Sequence, residues 1–435
     1  MIGSPATGLI GVLILLVLLV AGVPIGVALG LVGIGGLTLL LGMEPALIKS
    51  GVIVFDTLSR YELGVLPLFL LMAHLCFAAN ASRDFFTAAA RMVGHFRGGL
   101  ATASVAACAG FGAITGSSLA TAATIGLVAL PEMRRRGYAD SFATGVVAAG
   151  GTLGQAVPPS AALIVFGIIT EQSIGKLFTA AIVPALTQLL LYIVTIALVG
   201  YFRPALAPAS PRASWPERRA ALWRIADITL LILLVIGGIA VGWFTPSEAA
   251  SVGCVGALAL CARRRRLNGN SLRHALAETL RTSGMIYVVI IGALIFSVFI
   301  GLTGLTGEVS TLLAATGGGK ITTMLLMAVV LLLMGSILDG LALMLLMTPI
   351  LLPVVQSVGL SPIWFGIFLV RAMEIGFVHP PIGMNLYVIH SIAPDVPLGR
   401  IFRGVLPFLA SDFVHLLLLI LVPALVLGLP KALGQ

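Results

Sequence analysis

Four short stretches inside apolar segments hold the residue types that could bind an ion or a small acid. They are Gly110-Phe111-Gly112-Ala113-Ile114-Thr115-Gly116-Ser117-Ser118, Gly154-Gln155-Ala156-Val157-Pro158-Pro159-Ser160, Gly335-Ser336-Ile337-Leu338-Asp339-Gly340 and Gly376-Phe377-Val378-His379-Pro380-Pro381-Ile382-Gly383-Met384-Asn385. Proline lacks the backbone donor and clashes with the preceding turn, so two in a row predict a local unwinding of any helix that carries them. Freed carbonyl oxygens can coordinate a cation. Opened helix N-termini present N–H groups and partial positive charge, which favour a carboxylate. Ser117, Ser118, Thr115, Ser160 and Asn385 add ligands without a full charge. Such oxygen-only sets suit sodium, and no His/Cys set has transition-metal spacing.

Each stretch also has a plainer reading. A Pro-Pro pair can be a packing kink, and Gly116-Ser117-Ser118 can be small-residue helix packing. Asp339 is an intramembrane carboxylate, a functional candidate by default, but it can equally cap a helix N-terminus. Arg371 and Glu374, spaced i, i+3, can neutralise each other. His379 is either a proton-sensitive site or a neutral, hydrogen-bonded filler.

The elements that must position these residues follow from composition. The chain has 435 residues, 59% hydrophobic and 9% charged, with a mean hydropathy of +1.14. A soluble domain carries about 25% charged residues. Apolar stretches of the length that spans a bilayer, about 20 residues, recur along nearly the whole chain. The first run, Leu9 to Leu41, has no basic leader and no small-residue cleavage site, and reads as two helices turning near Gly22-Val23-Pro24. An all-α polytopic membrane protein is therefore expected, in the inner membrane.

Two arginine clusters orient it. Arg203, Arg212, Arg218, Arg219 and Arg224 precede two apolar spans, 228–244 and 247–262; Arg263 to Arg266, Arg273 and Arg281 follow them. Two crossings return the chain to one side, and the positive-inside rule makes that side the cytoplasm. Counting outward places 83–97, Arg134 to Arg136 and 391–403 inside, and the loop 43–61 and the stretch 303–320 outside. The count closes only if 98–131 and 321–353 enter and leave on the same side, as re-entrant helical hairpins. Such backbone is tolerated where it is buried in protein or lines a wet cavity. The expected total is about ten spanning helices plus two hairpins.

The halves resemble each other. Leu130-Pro131 and Leu352-Pro353, Gly137 and Gly359, Gly154 and Gly376, and Pro158-Pro159 and Pro380-Pro381 all lie 222 residues apart. Arg134 to Arg136 fall inside, whereas the equivalent uncharged stretch, Gln356 to Leu360, falls outside. The pattern thus predicts an inverted-topology repeat, an architecture of alternating-access transporters. A first repeat over 1–202 and a second over 228–435 flank a cytoplasmic linker, 203–227.

Other classes find little support. Cys76, Cys108, Cys254 and Cys261 have no CxxC or metal spacing and read as small packing residues. The net charge of +9 comes from arginines between apolar segments, not from a basic groove with interleaved aromatics, so no nucleic-acid partner is expected. No GxSxG, HExxH or GxGxxG stands at a strand–helix junction, and no enzyme is expected. Without a Walker A sequence, transport must draw on an ion gradient or another subunit.

The sequence resembles the large membrane subunit of TRAP (tripartite ATP-independent periplasmic) transporters over essentially its whole length. The resemblance rests on Gly112 to Ser118, Leu130-Pro131-Glu132-Met133 through Tyr138, Gly151-Thr152-Leu153-Gly154 leading to Pro158-Pro159-Ser160, Ser173 to Phe178, Thr245-Pro246-Ser247-Glu248-Ala249-Ala250, and Glu374-Ile375-Gly376 through Gly383. It implies a sodium-coupled importer of organic acids that needs no other cofactor. A periplasmic binding protein would deliver the substrate, and a small four-helix membrane subunit would accompany the chain in the bilayer. The fold it implies has a scaffold and a mobile unit carrying both hairpins, moving as an elevator. Carried over by motif, Thr115, Gly116, Ser117, Gly154 and Pro158 would form one sodium site. Gly335, Asp339, Gly340, Gly376, His379 and Gly383 would form the second. Ser117, Ser118, Pro158, Ser160, Asp339, Pro380 and Asn385 would face a substrate between them. The sequence departs from the family's usual threonine at His379, and mildly from its Ile or Leu at Val157. A stand-alone ion-coupled carrier or antiporter of the same broad fold is the alternative.

Overall fold

The computed structural model describes residues 3–315, 319–336 and 338–435, and within these every regular element is helical. The first half contains α1 (Pro5–Val20), α2 (Ile25–Leu41), α3 (Met43–Ser59), α4 (Val65–Ala78), α5 (Ala81–Val93), α6 (Gly99–Thr115), α7 (Ser118–Arg135), α8 (Asp140–Ala156), α9 (Ala161–Thr170) and α10 (Ile174–Phe202). The second contains α11 (Trp215–Ala240), α12 (Pro246–Arg263), α13 (Gly269–Thr303), α14 (Leu305–Ala315), α15 (Gly319–Gly335), α16 (Gly340–Ser357), α17 (Pro362–Gly376), α18 (Met384–Ile392), α19 (Leu398–Leu421) and α20 (Ala424–Ala432). Among the described residues, 7 helical stretches are long and apolar enough to cross a membrane, with α8 and α9 taken together as one.

The offset of the proline pairs recurs in the helix ends. Gly340–Ser357 lies 222 residues beyond Ser118–Arg135 at both ends. The same displacement separates the starts of α8 and α17, the ends of α9 and α18, the ends of α2 and α12, and the ends of α5 and α14.

Two packing groups organise the chain. One joins α2, α4, α12 and α13; the other gathers α6, α7 and α19 around α8. Small residues set the closest approaches, as expected where helices meet without a hydrophobic driving force. Added Cβ atoms on Gly26 and Gly33 would lie 2.8 Å from the α13 backbone, at Val288–Val289 and at Phe296. In the second group, Gly145 of α8 meets the backbone of Gly404 on α19.

Two expectations are corrected. The stretch 43–61, expected as a loop, contains α3; α14 lies within 303–320, of which residues 316–318 are outside the described ones. Glu44, Lys49 and Asp56 make α3 too polar to read as a span, although 17 residues form a helix there. The linker expected to run to 227 ends at Ser214. Its backbone N–H donates to Glu217 at 2.8 Å, Pro216 stands in the first turn, and this capping box starts α11 early.

Candidate functional site

Each segment expected as a hairpin holds two consecutive helices in contact, separated by a short break. In the first, α6 ends at Thr115, Gly116 turns in the left-handed region (φ 57°), and Ser117 caps α7 by accepting from Ala120 N–H at 3.4 Å. Gly110 and Gly112, expected inside the break, are helical. A Cβ on Gly112 would lie 2.6 Å from Gly154 Cα, so this glycine gives α6 room against α8. In the second hairpin, α15 ends at Gly335 and α16 begins at Gly340; Ile337 lies outside the described residues.

Both proline pairs interrupt helices as expected, and both are cis. The first break runs from Val157 to Ser160, whose hydroxyl caps α9 by accepting from Leu163 N–H at 3.5 Å. Gly154 and Gln155 remain helical. The second break runs from Phe377 to Gly383, which is left-handed (φ 62°) and precedes α18. Asn385 therefore sits on a helix, not in the break.

Each hairpin tip lies against its own break. A Cβ on Gly116 would be 2.7 Å from Pro159 O, and one on Gly154 would be 2.6 Å from Ser117 O. Thr115 and Thr121 share a hydroxyl hydrogen bond of 2.9 Å at the same tip. Backbone carbonyls and two hydroxyls thus lie close to one another at this tip. At the second tip, Gly376 abuts the backbone of Gly335, and a Cβ on Gly340 would lie 2.7 Å from Met373 and Phe377. Asp339 caps α16, accepting from Leu341 N–H at 3.1 Å. His379 meets Phe413 edge-on at 6.1 Å, and its buried Nδ1 has no hydrogen-bond partner among the described residues. Among the described residues, no group of three or more His, Cys, Asp or Glu side chains could hold a metal.

The two halves are stitched together at these sites. Ser118 at the first tip donates to Glu374 of α17 at 2.6 Å. Asn385 of α18, fully buried, donates to Ala148 O of α8 at 3.1 Å, and its Oδ1 has no partner among the described residues.

Residues 12–425 match the family described as the tripartite ATP-independent periplasmic transporter, DctM component. The C4-dicarboxylate TRAP transporter large permease protein DctM of Pseudomonas aeruginosa is 36% identical over 92% of this chain and 93% of its own length. The sialic acid TRAP transporter large permease protein SiaM of Vibrio cholerae is 32% identical over 95% of this chain and 96% of its own. This chain belongs to the TRAP transporter large-permease family. Its fold is also similar to the solved YdaH transporter of Alcanivorax borkumensis (TM-score 0.61, 17% identity, 95% of this chain and 97% of that one).

This TRAP permease also buries a charged cluster that sequence reasoning missed. Arg371 does not pair with Glu374. It pairs with Asp412 of α19, and both side chains are buried. Asp412 also accepts from Gln188 Nε2 at 2.8 Å and Tyr192 Oη at 2.6 Å, both on α10. Tyr192 meets Thr152 of α8 at 3.0 Å. Asp412 could have been flagged as a carboxylate within an apolar helix. Gln188 and Tyr192 carried no comparable signal. Among the described residues Glu374 Oε1, Asp412 Oδ2 and Arg371 Nε have no partners, so spare hydrogen-bonding capacity lies beside the Ser118–Glu374 contact.

Proposed function

We propose that this permease takes an organic anion from a periplasmic binding protein and carries it across the inner membrane on a sodium gradient, by elevator movement. Its companions are a small four-helix membrane subunit and that binding protein, as the family's tripartite description implies. The two halves form an inverted repeat of about ten spanning helices and two hairpins. Scaffold and moving unit each draw on both halves. Sodium binds where each hairpin tip meets its broken helix: Thr115, Gly116, Ser117, Gly154 and Pro158 at the first, Gly335, Asp339, Gly340, Gly376, His379 and Gly383 at the second. The substrate lies between them, near Ser117, Ser118, Pro158, Ser160, Asp339, Pro380 and Asn385. Helix N-termini opened by the breaks supply N–H donors for its carboxylate.

The observation that carries this reading is the pairing of each tip with its break, together with the Ser118–Glu374 bond that joins the pairs. Relatives named for a C4-dicarboxylate and for sialic acid support an organic acid as the substrate. Proteoliposomes holding both membrane subunits should accumulate a labelled acid only with the binding protein outside and sodium directed inward. Equal uptake by this chain alone would instead favour the stand-alone carrier.

A further inference from the structure

The ends of α4, α11 and α12 meet the start of α5 at a cleft of about 450 Å³. On the arginine distribution this end faces the cytoplasm. Its inner layer is already neutral. Arg264 bonds to Asp84 at 2.5 Å and to Asp227 at 2.9 Å, and also reaches Ala79 O and Arg224 O; Arg263 pairs with Asp227. Burial opposes the Arg264 charge, and the bonds from Asp227 and Asp84 outweigh it and raise its pKa. Both carboxylates lining the cleft are therefore used.

Arg83, Arg224 and Arg266 line the same cleft, are exposed, and make no side-chain ion pair among the described residues. The excess is three positive charges, one on α5, one on α11 and one just past α12. Trp223, 73% exposed, stands on the rim. The level is that of a membrane surface. The apolar run of α11 starts at Ile228, just past Asp227, so Trp223 and Arg224 lie on the headgroup side of it. An exposed tryptophan is at home there. Exposed Leu230 and Leu233 on α11 and Val255 and Leu258 on α12 continue the apolar surface below.

Three guanidinium forks without carboxylate partners match the oxygens of a phosphate ester. A basic pocket between spanning helices on the cytoplasmic side is a place for a lipid headgroup. We propose that this cleft binds a phosphate anion at the inner-leaflet surface and is filled by the headgroup of an anionic phospholipid, which ties α5 to α11 and α12. Arginines that serve topology alone would show no such selectivity.

The test uses the permease with its small subunit in detergent, titrated with short-chain phosphatidylglycerol, phosphatidylcholine or inorganic phosphate while thermal unfolding is followed. Phosphatidylglycerol should stabilise the complex and phosphatidylcholine should not. At roughly fivefold per arginine, R83Q/R224Q/R266Q should weaken the phosphatidylglycerol effect on the order of a hundredfold. The charge-matched R273Q/R400Q/R403Q, at arginines outside the cleft, should change it by less than about twofold. Should the triple variant fail to fold, R224Q and R266Q singly should each cost roughly fivefold. Stabilisation by inorganic phosphate with the same arginine dependence would keep the anion site and overturn the lipid as its occupant. Equal response to phosphatidylcholine, or equal loss in the control variant, would overturn the site itself.

Discussion

The first and second helix breaks use one backbone device and are lidded differently. At the first, Pro158, Pro159 and Ser160 are all buried. Leu66, Phe69 and Leu70 of α4 close over them, leaving a narrow cleft to Thr115, Gly116 and Ile164. At the second, Pro380, Pro381 and Ile382 are exposed, and burial is confined to the two ends of the break, Phe377-Val378 and Gly383. The caps differ too: Ser117 and Ser160 serve α7 and α9, whereas Asp339 serves α16 and Gly383 leaves α18 without a side-chain cap. Positions 222 residues apart thus give one covered break and one open break. On the elevator reading, the covered site is held against the scaffold, and the open one exchanges with its surroundings.

The largest effect should come from adding a methyl group at each break. Gly116→Ala puts a Cβ against the Pro159 carbonyl at a left-handed residue, and neither the backbone nor the packed α4 can yield. Uptake in proteoliposomes should fall at least about a hundredfold, at roughly 3 kcal/mol of lost site geometry. Gly383→Ala meets mainly the flexible end of Leu386 in the open break and should cost roughly tenfold or less. Equal losses would remove the distinction between the breaks.

Next comes the charge behind them. Arg371→Met alone leaves Asp412 buried and unpaired and should destabilise the protein by about 3–5 kcal/mol. Combining it with Asp412→Leu should recover much of that in thermal unfolding. No recovery would mean that the pair is not the stabilising unit.

Ser118→Ala removes the donor to Glu374 and should cost about 1–3 kcal/mol of stability. A double-mutant cycle with Glu374→Gln should show coupling between the two halves. Additive losses would deny it.

The smallest change concerns His379, whose buried Nδ1 has no partner in the open break. His379→Thr should leave transport sodium-dependent but shift its pH–rate curve. An unchanged curve would remove this histidine from the coupling.

Much of this architecture was legible because proline and glycine punctuate apolar sequence strongly. Pro158-Pro159 and Pro380-Pro381 fall in the breaks, and Gly116 and Gly335 mark where hairpin arms end. Glycine was also the main source of error. Gly110 and Gly112 looked like part of a break and instead make room for Phe85 and α8, and the letter alone does not separate the two uses. Distance in sequence hid the rest. Glu374, three residues from Arg371, seemed its natural partner, but the pair forms with Asp412, 41 residues on, across α17 and α19. The lid over the first break comes from α4, whose leucines and phenylalanine are indistinguishable in sequence from lipid-facing ones.

The most direct measurement is the sodium dependence of acid uptake by the reconstituted three-part system, for the unaltered chain and for each glycine variant. Two sodium sites, one per tip and break, predict a sigmoidal dependence with a Hill coefficient approaching about two, falling toward about one in Gly383→Ala. A hyperbolic dependence in the unaltered chain, or uptake indifferent to sodium, would contradict the account.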